Sequence, residues 1–280
     1  MFLGLVDRHN QGKGDPNNRR LLDKRLMQLR LRQICLVAYD LQPVVADLKS
    51  VFGLEVGHVD PGVGVFGLEN SILPVGNSFL EVVAPIQSNT AAERYLKRRK
   101  GNGGYMVITQ CDDLKPRQKR VKALGIRLVH LMDYDGFEGM QLHPRDTGGA
   151  IFEIDWNEGF EQPDGPWWPA GKNWLPSKRT DVVSHFHAVE LQSDDPSKLA
   201  QRWSDVAEIE LQTNPNGQLT MPLENATLRF VETTDGRGEG LGGIDLQVVN
   251  KTHILQQAQQ RGCPVEDDRV MVCGIRFGLI

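Results

Sequence analysis

An internal repeat constrains the fold of this 280-residue chain more than any single motif does. The pattern of residues 31–38 predicts a strand, residues 39–41 (Tyr-Asp-Leu) turn the chain into a helix, and three strand candidates follow. The order recurs from residues 104–111, where 112–114 (Asp-Asp-Leu) repeat the turn. Two strand–helix–strand–strand–strand units, about 70 residues apart, predict paired modules.

Turn-forming and helix-capping residues bound each predicted element. In the first two units, strands are expected at residues 31–38, 54–59, 69–74, 79–84, 104–111, 126–130, 139–143 and 150–155, and helices at 43–52, 89–100 and 116–124. Two later, less regular units contain strands at 185–192, 209–213, 226–232 and 243–249, helices at 197–206 and 252–261, and further strands up to residue 280.

The chain divides into four segments. Residues 1–30 are a tail with a short helix over 19–30, 31–156 a first domain, 157–183 a linker rich in aromatic residues and proline, and 184–280 a second, degenerate domain. The linker carries too many tryptophans to leave in water. It therefore either straps across the back of the first domain or covers a cavity as a lid, and the strap is the preferred interpretation.

Charge and hydropathy restrict the partners. The net charge is -4 and the pI is near 6.0, so nothing favours binding to nucleic acid. No run approaches the roughly 18 apolar residues that a membrane helix needs. The four cysteines show no CxxC spacing, which favours reduced thiols. We therefore expect a cytoplasmic protein with a small-molecule substrate or ligand, no nucleic-acid or membrane partner, and a homodimer as one option.

The stretch 141–155 (QLHPRDTGGAIFEID) combines a turn with a closing strand. Alternation places Ile151, Glu153 and Asp155 on one face of that strand. A carboxylate on such a face points either into solvent or into a cavity. For a lone glutamate, solvent exposure is the more common outcome.

The motif 143–153 (HPRDTGGAIFE) resembles the closing strand of the vicinal-oxygen-chelate (VOC) superfamily, the glyoxalase, bleomycin-resistance and extradiol-dioxygenase fold, and most closely the methylmalonyl-CoA epimerase branch. The resemblance implies an α+β fold of tandem βαβββ modules paired into two glyoxalase-like domains. It also implies that Glu153 is a metal ligand.

The same resemblance assigns the other ligand positions of the first domain. They fall on Gln33, Glu81 and Met106, with Glu153 as the fourth. Gln33, Glu81 and Glu153 could hold a divalent metal (Mn, Ni, Zn or Mg), but a thioether contributes little to such a site. A cup without metal is the slightly favoured alternative.

The remaining candidates are weaker. His143 could move a proton beside a carbonyl, although a histidine before proline more often packs and hydrogen-bonds. In the second domain the corresponding ligand positions are expected at Ala188, Arg229, Asp245 and Gly278, a set that holds no divalent metal. This domain is therefore either a copy whose site has decayed or one that binds an anion through Arg229.

Two functions are predicted from these residues. The first is a glyoxalase-like lyase, isomerase or epimerase acting on a small carbonyl compound, with Glu81 or Glu153 as the base and His143 assisting. The second is a non-catalytic small-molecule binding protein of the bleomycin-resistance type. One fold hosts both activities, so the resemblance alone does not choose between them.

Overall fold

Four modules of strand and helix follow one another in the computed structural model, which describes residues 29–280. They build two sheets, one from each pair of modules, so the predicted α+β fold with tandem βαβββ modules is confirmed. Among the described residues, no helix is long and apolar enough to cross a bilayer.

The first sheet has seven strands in the order β2-β3-β1-β4-β7-β6-β5. Its elements are β1 (Arg30–Val37), α1 (Leu41–Phe52), β2 (Leu68–Val75), β3 (Ser78–Pro85), α2 (Ala91–Arg99), β4 (Gly103–Gln110), α3 (Leu114–Ala123), β5 (Leu128–Tyr134), β6 (Phe137–Leu142), α4 (Pro144–Thr147) and β7 (Ile151–Asn157).

The second sheet has eight strands in the order β13-β14-β15-β12-β8-β11-β10-β9. Its elements are β8 (Val183–Ser193), α5 (Pro196–Ala207), β9 (Gln212–Thr213), β10 (Leu219–Pro222), β11 (Thr227–Glu232), β12 (Gly240–Val248), α6 (Lys251–Arg261), β13 (Val265–Glu266), β14 (Arg269–Val272) and β15 (Ile275–Leu279). In both sheets the two modules meet through an antiparallel pair of first strands, β1 with β4 and β8 with β12.

A short polar side chain caps the principal helix of every module. Asp40, Asp113, Asp195 and Asn250 each accept a hydrogen bond from a backbone N–H in the first turn of the helix that follows. Such a cap satisfies an N–H that would otherwise lack a partner at the helix end. This recurring local requirement is why the repeat is visible in the sequence.

The first sheet is curled. Phe66, in a 3-10 helix (Pro61–Phe66) beside β2, packs edge-on against His130 of β5 with ring centroids 5.5 Å apart. Since β2 and β5 are the two edge strands, this contact closes one end of the curled sheet. We call the enclosed face, which carries Gln33, Cys35, Glu81, Met106, Glu153 and Asp155, the first cup.

The opposite faces of the two sheets share one hydrophobic core with the helices. Phe52 of α1 packs against Phe277 of β15, with ring centroids 4.7 Å apart. Phe152 of β7 stacks on Trp203 of α5 at 4.3 Å, with the planes only 4° apart. Between the sheets, a side chain added at Gly104 would lie 2.3 Å from Leu241, so only glycine permits this approach. The two halves are therefore packed as tightly as one domain interior.

Several local predictions need correction. The strand expected at 54–59 is reduced to a single bridge between His58 and Ile72, because the chain turns into the 3-10 helix instead. Strand β10 was not predicted. The helix expected over 19–30 falls almost wholly outside the described residues, and Arg30 at its end belongs to β1.

One register assignment in the second domain is also wrong. Cys35 stands five residues before its helix cap and pairs with Met106, and Glu190 stands five residues before its own cap and pairs with Gly243. Gly243, and not Asp245, is therefore the counterpart of Met106. In the last module the helix cap is Asn250, so the sequence offered no capping aspartate from which to count back along this strand.

The shared core generates a stability prediction. Trp203 is fully buried, and its indole N–H donates to the Gly148 carbonyl at 3.2 Å. We expect Trp203→Ala to lower the free energy of unfolding in urea by about 3–5 kcal/mol, because it leaves a cavity between the domains. Trp168→Ala is the control, since Trp168 is 45% exposed and should cost less than half as much. Equal losses in the two variants would show that the interdomain contact is unimportant.

Candidate functional site

A hydrogen-bonded network of amides and one carboxylate lies on the first cup. Gln33 Nε2 donates to Glu81 Oε2 at 2.9 Å, and Asn70 Nδ2 donates to Glu81 Oε1 at 2.6 Å. All three side chains are buried, and they come from β1, β3 and β2, which are neighbours in the sheet. Alternation along each strand points them to the same face. Both oxygens of Glu81 are thus engaged.

A second pair of acids lies further across the same face. Glu153 and Asp155 are two residues apart on β7, and only 3% and 0% of their surfaces are exposed. Within residues 29–280, Glu153 Oε2 and both Asp155 oxygens are buried without an amide, hydroxyl or basic group as donor, so the two acids interact with each other. Two carboxylates in this position fit only if they share a proton.

The surroundings keep these acids protonated to unusually high pH. Burial raises the pKa of Glu153 to about 7, with hydrogen bonds from Asp155 and Gln141 acting in the opposite direction. Burial, and then the adjacent Glu153, raises the pKa of Asp155 well above its usual value. Burial also raises the pKa of Glu81, although the contacts with Asn70, Cys35 and Gln33 counteract it. The cup therefore contains three acids whose pKa values are all raised by burial, and that of Glu153 lies near neutrality.

The linker covers this face. Trp167 and Trp174 are buried, and they belong to the same apolar cluster as Cys35 and Met106. Trp167 Nε1 donates to Gln33 Oε1 at 2.8 Å, and Trp174 packs edge-on against Phe79 of β3 with ring centroids 4.9 Å apart. Of the two interpretations of the linker, the lid is confirmed by these contacts, and the strap across the back is wrong.

Arg32 fastens the lid to the sheet. Its guanidinium donates to the carbonyls of Asn77 at 2.6 Å and Gly165 at 2.7 Å, and also to that of Pro163. It also lies over the ring of Trp167, 5.5 Å from the centroid. Burial, reinforced by the charge of Arg30, lowers the pKa of Arg32 to about 10, so it remains charged at pH 7.

The structure brings part of the predicted set together. Gln33 and Glu81 are in direct contact, and the charge of Glu81 contributes to the raised pKa of Glu153. His143 does something different, because its Nδ1 accepts the backbone N–H of Arg145 and caps α4. This contact supports the packing role that was weighed for His143, and its catalytic role stays a prediction.

Three members of the site were not in the predicted set: Asn70, Asp155 and Trp167. Asp155 could have been found from its spacing, since alternation already put it beside Glu153. Asn70 and Trp167 reach the cup only through pairing between strands and through the path of the linker. No motif in the neighbouring sequence indicates that Asn70 or Trp167 belongs to the site.

The donor set does not fit a divalent metal ion. The Gln33 oxygen accepts from Trp167, both Glu81 oxygens accept amide N–H groups, and Met106 offers only a thioether, so Glu153 is the one predicted ligand that keeps an oxygen without such a donor. Among residues 29–280, no three or more His, Cys, Asp or Glu side chains are grouped to hold a metal. Hard cations need several oxygen donors around one point, and the engaged oxygens of Gln33 and Glu81 do not provide them.

Comparison with known proteins places the chain. A family model described as "Glyoxalase-like domain" matches residues 34–207, which is more than half of the sequence. The chain belongs to this glyoxalase-like family. The matched region includes Glu81, Met106 and Glu153, the linker, and the beginning of the second domain.

Relatives of this glyoxalase-like protein include named enzymes. The mitochondrial methylmalonyl-CoA epimerase of Bos taurus is 28% identical over 129 residues, covering 45% of this chain and 73% of that protein. The ethylmalonyl-CoA/methylmalonyl-CoA epimerase of Cereibacter sphaeroides is 22% identical over 134 residues, covering 45% and 96%. A hypothetical protein from Staphylococcus aureus of known structure is 10% identical, covers 91% of this chain and 99% of its own, and has a TM-score of 0.61. At that identity, the likeness shows the fold alone.

The buried acids predict an unusual dependence of stability on pH. The pKa of Glu153 rises from 4.5 to about 7 on folding, so the folded protein binds this proton more tightly than the unfolded chain does. The corresponding stability is fully present below pH 4.5 and is lost as the pH rises through 7, a difference of about 3 kcal/mol at about 1.4 kcal/mol per pKa unit. Urea unfolding of Glu153→Gln should match wild type at pH 4.5 and exceed it by about that amount at pH 8.

Glu69→Gln is the matched control for this experiment, because Glu69 is exposed on β2 of the same sheet. Its stability should follow that of wild type at both pH values. If Glu153→Gln behaves like this control, Glu153 is ionised in the folded protein throughout, and the shared proton does not exist.

The lid generates a second prediction. Arg32→Met keeps the volume of the side chain but removes the bonds to three carbonyls, so residues 160–175 should detach more often. Hydrogen–deuterium exchange of the backbone should increase there by about tenfold or more, as expected for losing over 1.4 kcal/mol of local stability. Arg179→Met is the control, because Arg179 is exposed and, among residues 29–280, its side chain bonds only the nearby carbonyls of Pro176 and Lys178. Unchanged exchange in Arg32→Met would show that the tryptophans hold the lid alone.

Proposed function

We propose that this glyoxalase-like protein catalyses proton transfer next to the carbonyl of a small substrate, as an isomerase, epimerase or lyase. The observation that carries the proposal is the pair Glu153 and Asp155: three of their four carboxyl oxygens are buried with no donor among residues 29–280 other than the neighbouring acid. Burying such groups costs stability, and acids with perturbed pKa values are concentrated at functional sites.

Each side chain of the cup has a role in this proposal. Glu153, with a pKa of about 7, accepts the proton from the carbon beside the carbonyl; a proton is then returned to the opposite face of that carbon in an epimerisation, or to a neighbouring atom in an isomerisation. Asp155 keeps its own proton and donates a hydrogen bond to the charged Glu153. Glu81 is a poorer base, because Asn70 and Gln33 already occupy its two oxygens.

The lid supplies access and exclusion of water. Trp167 and Trp174 lie where a substrate would meet the first cup, so the linker has to move before binding. When it closes again, it removes water from the acids and strengthens their electrostatic effect on the substrate. The proposal uses no metal ion, because the donor set does not fit one.

The relatives point to the substrate class. Two of them carry the name methylmalonyl-CoA epimerase, and an epimerase inverts a carbon by removing and returning a proton. This chain shares that family but has Met106 at a ligand position and its own lid. We therefore propose a small acyl compound with an acidic C–H, of which a thioester is one form. The proposal also retains a cytoplasmic location and a homodimer.

The direct test is exchange of substrate hydrogen with solvent. Methylmalonyl-CoA and a panel of small 2-substituted carbonyl compounds are incubated with the protein in D2O, and loss of the C–H signal is followed by NMR. We expect exchange in at least one compound, reduced about 10²–10⁴-fold in Glu153→Gln because the base is gone. Dialysis against a chelator should leave the rate unchanged.

The control is Glu69→Gln, which should exchange at the wild-type rate. Two results would contradict the proposal. The first is exchange that persists in Glu153→Gln, and the second is exchange that disappears with the chelator and returns with Mn, Ni, Zn or Mg.

The binding-protein alternative has an observation of its own. The first cup is lined by aromatic side chains, with Phe79 and Phe137 of the sheet facing Trp174 and Trp167. Such a surface can take up a flat apolar compound in place of the lid. A compound that quenches the tryptophan fluorescence and raises the melting temperature, but never exchanges hydrogen, would favour this function.

A further inference from the structure

The second sheet has its own cup, which is open. A cavity of about 540 Å³ lies at one end of it, within the range of small-molecule sites. Its lining includes Glu190, Gln218, Arg269 and Arg276, together with Leu219 and Val231. None of these residues belongs to the proposed proton-transfer site.

Register shows how this cup differs from the first. Glu190 occupies the place of Cys35, and Arg276 occupies that of Ile151, since each pair has matching partners in its sheet. Arg229 stands where Glu81 stands in the first cup. Where the first cup has Cys35, Ile151 and Glu81, the second cup therefore has Glu190, Arg276 and Arg229.

The carboxylate oxygens of Glu190 and Asp245 in the second cup already accept hydrogen bonds from arginines. Glu190 Oε1 accepts from Arg276 Nη2 at 2.6 Å, and Glu190 Oε2 accepts from Arg229 Nη2 at 2.8 Å. Arg229 Nη1 and Nη2 donate to the two oxygens of Asp245. Burial acts to raise the pKa of Glu190, but hydrogen bonds from Arg276 and Arg229 outweigh it, and the pKa falls below its usual value. Glu190 is therefore ionised, and the carboxylate oxygens of both acids are hydrogen-bonded.

Two arginines of the second cup, Arg269 and Arg276, still have N–H groups without an acceptor among residues 29–280. Within residues 29–280, the Arg269 guanidinium makes no hydrogen bond or ion pair. Arg276 Nε donates to Glu190, and Arg276 Nη2 donates to Gln192. Among residues 29–280, the acidic group near Arg276 Nη1 is Asp235 at 3.7 Å, which is beyond hydrogen-bonding distance. Since Val270 and Val272 are buried in the core, alternation points Arg269 to the cup face, where Arg276 also lies.

We propose that the second cup binds a small oxyanion, a carboxylate or phosphoryl group, between Arg269 and Arg276. The cavity offers unused donors from two guanidinium groups, whereas its buried carboxylate oxygens are all engaged, so the missing partner is an acceptor. Guanidinium groups suit planar and tetrahedral oxyanions because they donate two parallel bonds. Glu232 lies at the exposed rim, where solvent screens its charge.

Calorimetric titration of the full chain at low salt tests this site. Inorganic phosphate and malonate are the two probes, and at least one should bind. Arg269→Gln should weaken binding by about tenfold or more, because it removes a charge-assisted donor. Arg269 is exposed and has no partner among the described residues, so this variant should melt at the wild-type temperature.

The controls separate this site from others. Arg145→Gln removes an equally exposed arginine from the first domain and should leave both affinities unchanged, as should Glu153→Gln, which tests the proposed catalytic function independently. Binding of malonate alone identifies a carboxylate site, and binding of phosphate alone identifies a phosphoryl site. The proposal is overturned if neither probe binds, if Arg269→Gln binds as tightly as wild type, or if Arg145→Gln loses as much affinity.

Discussion

The side-chain amide of Gln33 connects everything that defines the first cup. Its oxygen accepts the indole N–H of Trp167, and its nitrogen donates to Glu81. Because an indole nitrogen can only donate, the orientation of the amide is fixed, and the nitrogen must face the carboxylate. The position of the linker and the hydrogen bonding of a buried acid are thereby linked through one residue. While the lid is closed, Trp167 occupies one of the two acceptor positions on the Gln33 oxygen.

Much of the fold could be predicted because its causes are local. The aspartates at 40, 113 and 195 cap helices at the same place in three modules, and alternation along β7 placed Glu153 and Asp155 on one face. The predictions fail where contacts between segments distant in sequence determine the structure. The lid depends on Arg32, which is more than a hundred residues from the two lid carbonyls it binds, and composition alone could not choose which face the linker covers.

The predicted metal set illustrates the limit of resemblance for function. Gln33, Glu81 and Glu153 do lie on one face, but the family position fixes only the place of each side chain on the backbone. The neighbouring residues determine whether its oxygens are available to a ligand. Asn70, which no motif indicated, takes one Glu81 oxygen, and Gln33 takes the other. In the second domain the counterpart of Glu81 is Arg229, which is paired with Glu190 and Asp245, so one scaffold supports two different solutions to burying charge.

The core shared by the two sheets determines what would happen if the domains were separated. Leu241 fits against Gly104, and Phe277 against Phe52, so deleting the second domain would expose an apolar surface on the first. Exposed apolar surfaces of this kind promote association and aggregation. Each domain thus acts as the solubilising cover of the other, whatever ligand its own cup binds.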